Sequence, residues 1–188
     1  MDNRYEVRMA GEGGQGLVLA GIILAEAAAI YDGKNAIMTQ SYGAQQRGGP
    51  SRSEVIISDG EIDYPKVLKS DLLLALTQDA FDRYRNDMRK GGLIIVDSEL
   101  VERVPHDHTV SLPIMGISRE ATGRETAGSI VALGIIVELT NVVSHEAITR
   151  ALMARVPKGS ETVNMKALEA GFAAAKKIQA TVSNSNKA

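Results

Sequence analysis

The chain contains no cysteine in its 188 residues. That absence excludes disulfides, iron–sulfur clusters held by this chain, thiolate zinc sites and cysteine nucleophiles. It also suits a reducing cytoplasm. Neither sign of charge is in excess, with 23 acidic residues against 21 basic ones. Nothing in that balance points to nucleic acid or an anionic membrane as a partner. The opening MDNRYEVRMAG has no apolar signal region behind a basic head. The best apolar run, Leu17 to Tyr31, is too short for a bilayer and carries Glu26. Internal repeats and low-complexity segments are also lacking. A soluble, cytoplasmic protein is expected.

What is present suits one well-filled core. Hydrophobic residues make up 44% of the chain and charged residues 23%, close to the globular average. A single domain over residues 1–180 is expected, followed by a polar tail, 181–188. Arg4 to Met9 alternates charged and apolar residues and reads as a strand. Gly14 to Ile30 reads as a buried helix stopped by Asp32-Gly33. NAIMTQ (35–40), SEVIIS (53–58), DLLLALT (71–77), GLIIV (92–96) and HTVSLPI (108–114) read as further strands. Phe81, Tyr84 and Met88 fall at helical spacing in QDAFDRYRNDMRK. Helices are expected over Glu125–Leu139, Ser144–Ala154 and Val163–Ala180. The fold class is α/β: a mainly parallel sheet with helices on both faces, a Rossmann-like start and a helical C-terminal part.

MAGEGGQGLVLAG contains G-x-G-x-x-G at Gly11, Gly13 and Gly16. Between a strand and a helix, such glycines admit positive φ and let backbone N–H groups approach a phosphate at the helix N-terminus. A Walker turn needs Lys-Ser/Thr after the last glycine, and Leu17-Val18 stands there instead. An NAD site wants an acidic residue at the end of the second strand, and Thr39-Gln40-Ser41-Tyr42 has none. The plain alternative is a turn whose glycines serve only close packing. The polar stretch SYGAQQRGGPSRS, 41–53, reads as a loop that gathers beside the glycine turn. It offers Ser41, Tyr42, Gln45, Gln46 and Arg47 to an anionic, hydrogen-bonding ligand, or a surface to partner chains.

G-x-G-G-Q-G, then S-Y-G-x-x-x-R-G-G with S-x-x-V-I-I-S, and the closing N-x-K-A-x-x-A-G resemble the gamma subunits of 2-oxoacid:ferredoxin oxidoreductases, most nearly the 2-oxoglutarate type. The likeness runs from about Arg4 to about Lys177. It implies a subunit of an enzyme that decarboxylates a 2-oxoacid, forms an acyl-coenzyme A and reduces ferredoxin. Thiamine diphosphate, magnesium and iron–sulfur clusters are then carried by alpha, beta and ferredoxin-like delta partners. The gamma chain contributes coenzyme A binding and assembly. Carried onto this sequence, the coenzyme A candidates are Gly11, Gly13, Gly14, Gln15, Gly16, Ser41, Tyr42 and Arg47. One departure is visible: many relatives carry asparagine near 127–129, where this chain reads Ala127-Gly128-Ser129.

No catalytic residue and no metal ligand is expected. His106-Asp107-His108 is the one short-range metal candidate, and two histidines without further ligands nearby read as solvated polar residues. His145 reads as a surface helix residue. Arg83, Arg85, Arg89 and Lys90, interleaved with Asp82 and Asp87, read as a solvated face. Two rival readings stand beside the gamma subunit: a stand-alone nucleotide-binding oxidoreductase and a purely structural adaptor.

Overall fold

A computed structural model describes residues 4–43, 49–104 and 109–185. The elements run β1 (Tyr5–Glu12), α1 (Leu17–Glu26), a π-helical turn (Ala27–Tyr31), β2 (Asn35–Tyr42), β3 (Pro50–Ser58), β4 (Ser70–Ala75), α2 (Gln78–Tyr84), β5 (Met88–Asp97), β6 (Thr109–Leu112), α3 (Ile114–Thr122), a 3-10 turn (Glu125–Ala127), α4 (Gly128–Thr140), α5 (His145–Arg155) and α6 (Glu161–Ser185). Six strands form one sheet in the order β2-β3-β1-β4-β5-β6. The pairs β1–β4, β4–β5 and β5–β6 are parallel. β3 runs antiparallel to both of its neighbours. The α/β class and the mainly parallel sheet are borne out. Among the described residues, no helix is long and apolar enough to cross a membrane.

β3 separates β2 from β1, so the first β–turn–α–β unit does not close into adjacent strands. β2 still points the same way as β1, because each opposes β3. The consequence matters for the site: the C-terminal ends of β1 and β2 and the start of β3 share one edge. There Glu12 faces Pro50, and Tyr42 faces Ser51. The polar stretch is accordingly less of a loop than its composition suggests. Ser41 and Tyr42 finish β2, and Pro50 to Ser53 begin β3. Proline is tolerated there as the strand's first residue.

The larger core lies on one sheet face, where Met9, Val55, Leu72, Leu74 and Ile95 meet residues of α1, α3, α4, α5 and α6. Among the described residues, α2 is the one helix on the other face, packed through Ala80, Phe81 and Tyr84 on Ala10, Leu73, Ala75 and Val96. Helices therefore occupy both faces, very unequally. α4 is buried from Gly128 through Val137, which explains why its sequence is apolar on every side. It crosses α6 with backbones almost touching. A Cβ on Gly134 would strike the Leu168 carbonyl, and one on Gly171 would strike that of Val131. The closing A-G of the sequence motif thus has a packing cause.

Two elements depart from the periodicity reading. The helical spacing of Phe81, Tyr84 and Met88 does not continue: α2 stops at Tyr84 and Met88 opens β5. Gly91, at φ +79°, lies inside β5, close to the irregularity in its pairing with β4 between Ser70 and Leu72. The glycine pair therefore marks a strand defect and not a helix stop. α3 was hidden behind Pro113, and its end is set by Gly123 at φ +74°. α6 also runs on to Ser185, beyond the Ala180 where the apolar pattern stops.

Candidate functional site: the cleft at the carboxyl edge

The glycine turn closes β1 onto α1 at a left-handed Gly16, φ +78°, with no side chain capping the helix. Gly14 is also left-handed, at φ +96°, and a Cβ there would meet open space. Packing constrains Gly11 and, in addition to its backbone conformation, Gly16. A Cβ on Gly11 would strike Gln15 Oε1, and one on Gly16 would come within 2.5 Å of Ser129 Oγ. Ser129 of α4 is thus pressed against the turn. Gln15 is occupied within the turn: its Oε1 accepts from the Glu12 amide at 2.7 Å, and its Nε2 donates to Leu76 O at 3.4 Å. The Gly13 amide donates to Gly49 O at 2.8 Å, which ties the turn to the start of β3. Gly13 and Gly14 are exposed at the rim.

Beside the turn, on the α2 face of the sheet, lies a cleft of ≈ 420 Å³. Three strand ends line it: Gly11 and Glu12 of β1, Ser41 and Tyr42 of β2, and Ser51 and Arg52 of β3. Its fourth wall is the β4–α2 junction, with Thr77, Asp79, Arg83 and Tyr84. Thr77 caps α2, its Oγ1 accepting from the Ala80 amide at 3.2 Å. The sequence-predicted residues divide accordingly. Gly11, Ser41 and Tyr42 meet in the cleft, while Gly13, Gly14, Gln15 and Gly16 form the turn above it. Arg47, with Gln45 and Gln46, lies outside the described residues, as do His106, Asp107 and His108.

The residues that sequence reasoning missed are Arg52, Thr77, Asp79 and Tyr84, together with Arg83, which had been assigned to a solvated face. The rule that gathered the first two loops would have found the wall carried by Thr77, Asp79, Arg83 and Tyr84, since β4 is the parallel neighbour of β1. Tyr84 is the hub of this wall. The guanidinium carbons of Arg8, Arg83 and Arg52 sit 4.9, 5.4 and 5.5 Å from its ring centroid. Arg52 Nη1 donates to the Tyr84 hydroxyl at 3.4 Å. Behind the ring, buried Arg8 pairs with buried Glu54 through Nε at 2.7 Å and donates to Val67 O at 3.0 Å. Removing one member of such a buried pair costs about 3–5 kcal/mol, because the other charge is left stranded.

Outside the cleft, Asp97, Tyr5 and His145 are engaged within the fold. Burial pushes the Asp97 carboxyl up from its ordinary range, while the amides of Met115 and Glu99 donate to its two oxygens at 2.7 Å each. It anchors the start of α3 to the end of β5. Burial, aided by the Asp71 charge, pushes the Tyr5 phenol up to about 12. His145 is exposed yet engaged: its ring stacks on Phe172 at 4.1 Å, and Nε2 lies 3.1 Å from Glu138 Oε2. Among the described residues, no group of three or more His, Cys, Asp or Glu is arranged to hold a metal ion.

With this fold and edge cleft in place, comparison with known proteins assigns the class. Residues 6–174 match the pyruvate ferredoxin/flavodoxin oxidoreductase family, and the chain belongs to it. Its sequence is 46% identical to the 2-oxoglutarate synthase subunit KorC of Methanocaldococcus jannaschii, over 93% of this chain and 96% of that one. Its structure is similar to the gamma subunit of a keto/oxoacid ferredoxin oxidoreductase from Geobacter sulfurreducens, with a TM-score of 0.84 and 50% identity over 93% of this chain and 98% of the other. The 2-oxoglutarate:ferredoxin oxidoreductase of Magnetococcus marinus, solved with 2-oxoglutarate, coenzyme A and succinyl-CoA, shares the fold. The match has a TM-score of 0.80 and 23% identity, over 93% of this chain and 31% of that one. The resemblance to the gamma subunits is borne out.

Proposed function

We propose that the chain is the gamma subunit of a 2-oxoglutarate:ferredoxin oxidoreductase and that its edge cleft takes part in binding coenzyme A. The observation that carries the assignment is the nearly end-to-end 46% identity to a 2-oxoglutarate synthase subunit. The cleft supports the second half. Coenzyme A offers a pyrophosphate and a 3′-phosphate, and the cleft offers two guanidiniums, Arg52 and Arg83, beside the hydroxyls of Ser41, Tyr42 and Ser51. The exposed Gly13–Gly14 segment gives the pyrophosphate a place at the rim, with Gly11, Gln15 and Gly16 holding that rim in shape. Arg47, which lies outside the described residues, stays in the proposed set on the resemblance alone.

Thiamine diphosphate supplies the decarboxylation chemistry when bound, and iron–sulfur clusters carry the electrons. A chain with no cysteine cannot ligate clusters through thiolates. In this reading, as the resemblance to the gamma subunits implies, the clusters, thiamine diphosphate and magnesium belong to alpha, beta and ferredoxin-like delta chains, and the complex works in the cytoplasm. The role left to this chain is to hold and orient the acyl acceptor and to complete the assembly.

The test is reconstitution with the alpha, beta and delta chains, followed by an assay of 2-oxoglutarate-dependent viologen reduction. We expect activity that requires coenzyme A and prefers 2-oxoglutarate to pyruvate. Arg83→Ala should raise the KM for coenzyme A about tenfold, which corresponds to about 1.4 kcal/mol. An unchanged KM for coenzyme A would remove the cleft from the reading, and a preference for pyruvate would remove the substrate assignment.

A further inference from the structure

We infer that Tyr84 is the positioning residue of the cleft: its ring face, more than its hydroxyl, holds Arg52 and Arg83 at the wall where an anionic ligand is received. The inference rests on the cleft reading above and adds to it the element that organises the cations. Two guanidiniums placed side by side repel each other, and in water each would spread away on its long stem. Here three guanidinium carbons stand within 5.5 Å of one ring centroid. The negative face of an aromatic ring attracts each of them without neutralising any. A carboxylate in the same place would pair with the arginines and cancel the charge a phosphate needs.

The surroundings fix the ring itself. Tyr84 is buried at the end of α2, and Phe81 anchors the same helix one turn earlier. Arg8 backs the ring and is itself held by Glu54 and by the Val67 carbonyl. Of the carboxylates near the wall, Asp87 lies 3.7 Å from Arg8 Nη1 and, among the described residues, pairs with neither Arg52 nor Arg83. Glu54 serves Arg8 at 2.7 Å and reaches Arg52 Nε only at 3.7 Å. Asp79 lies in the first turn of α2, where a negative charge complements the helix dipole. Arg83 has no carboxylate partner among the described residues. The remaining carboxylate of the cleft, Glu12, stands on the β1 side. The wall thus holds Arg83, with no carboxylate partner among the described residues, and Arg52, paired only at 3.7 Å with Glu54, beside a ring that cancels neither charge.

The experiment uses the reconstituted complex and three variants, Tyr84→Phe, Tyr84→Leu and Arg83→Ala, with coenzyme A and 2-oxoglutarate varied separately. The ring-face assignment predicts that Tyr84→Leu raises the KM for coenzyme A five- to tenfold. Its KM for 2-oxoglutarate should stay within twofold, and so should kcat at saturating coenzyme A. Tyr84→Phe, which keeps the face and loses the hydroxyl, should restore the KM to within twofold of the parent. If Arg83→Ala raises the KM and Tyr84→Leu does not, the inference fails while the cleft reading survives. If none of the variants moves it, the cleft reading fails and the inference falls with it. A Phe variant as impaired as the Leu variant would assign the effect to the hydroxyl and overturn the ring-face role. Should the Leu variant not assemble, Tyr84→Met, which keeps apolar bulk without a ring, carries the same test.

Discussion

The side chain of Ser53 shows how narrowly single residues are specified. It lies on β3 beneath α1, fully buried, with no hydrogen-bond partner for its hydroxyl among the described residues. A buried unpaired hydroxyl costs about 1–3 kcal/mol, so its retention calls for a reason of size and shape. Gly21 of α1 lies directly above, where a Cβ would strike Ser53 Oγ and approach Met38 Cε to 3.1 Å. The two positions are therefore coupled. Ser53→Ala should leave thermal stability unchanged or raise it by about 1 kcal/mol. Gly21→Ala should destabilise the parent, since its gain in helix propensity, about 1 kcal/mol, is outweighed by the clash. In the Ser53→Ala background the same change should cost less. A double-mutant cycle by chemical denaturation checks this, and strict additivity would show that the helix rides up to relieve the contact.

At the scale of elements, what the sequence disclosed depended on whether one element or several set the pattern. β1, the glycine turn and α1 were legible because strand, turn and helix signals are all local. So was α5, whose Ser144 cap accepts from the Ala147 amide at 3.1 Å. The antiparallel placement of β3 was not legible, because nothing in SEVIIS records which neighbour it will pair with. Nor was the end of α2, since Met88 satisfies a helical spacing while its sulfur lies 3.1 Å from Ser70 Oγ across the sheet. The contact of α4 with α6 was visible only as a motif, with no hint that its glycine meets another. Gly134→Ala and Gly171→Ala should each destabilise by about 1–3 kcal/mol, because the obstruction is backbone and cannot swing away. Together they should cost less than the sum, as either one already separates the helices. Urea melts of the two singles and the double measure this.

At the scale of the whole molecule, the two sheet faces divide the labour. One face is covered by five helices and supplies the core, while the other keeps α2, a buried charge network and the cleft. Half of the candidate site was legible, because the rule that ligands gather at strand carboxyl ends applies to any parallel pair. The arginine wall escaped notice because charge on a short helix reads as solvated until a ring is seen to gather it. In the proposed reading this arrangement holds and orients an anionic ligand. The cleft offers hydroxyls, guanidiniums and two carboxylates but no thiol, and no described cluster is built for a metal. Two-electron oxidation of an oxoacid needs an electron sink and a carbanion stabiliser, which are cofactor chemistries. The purified chain, given 2-oxoglutarate, thiamine diphosphate, magnesium, coenzyme A and viologen, should therefore show no turnover above a blank without protein. Adding the partner chains should start the reaction, and omitting only this chain should lower the rate at limiting coenzyme A by at least tenfold. Turnover by the chain alone would mean that the division of labour between subunits has been drawn wrongly.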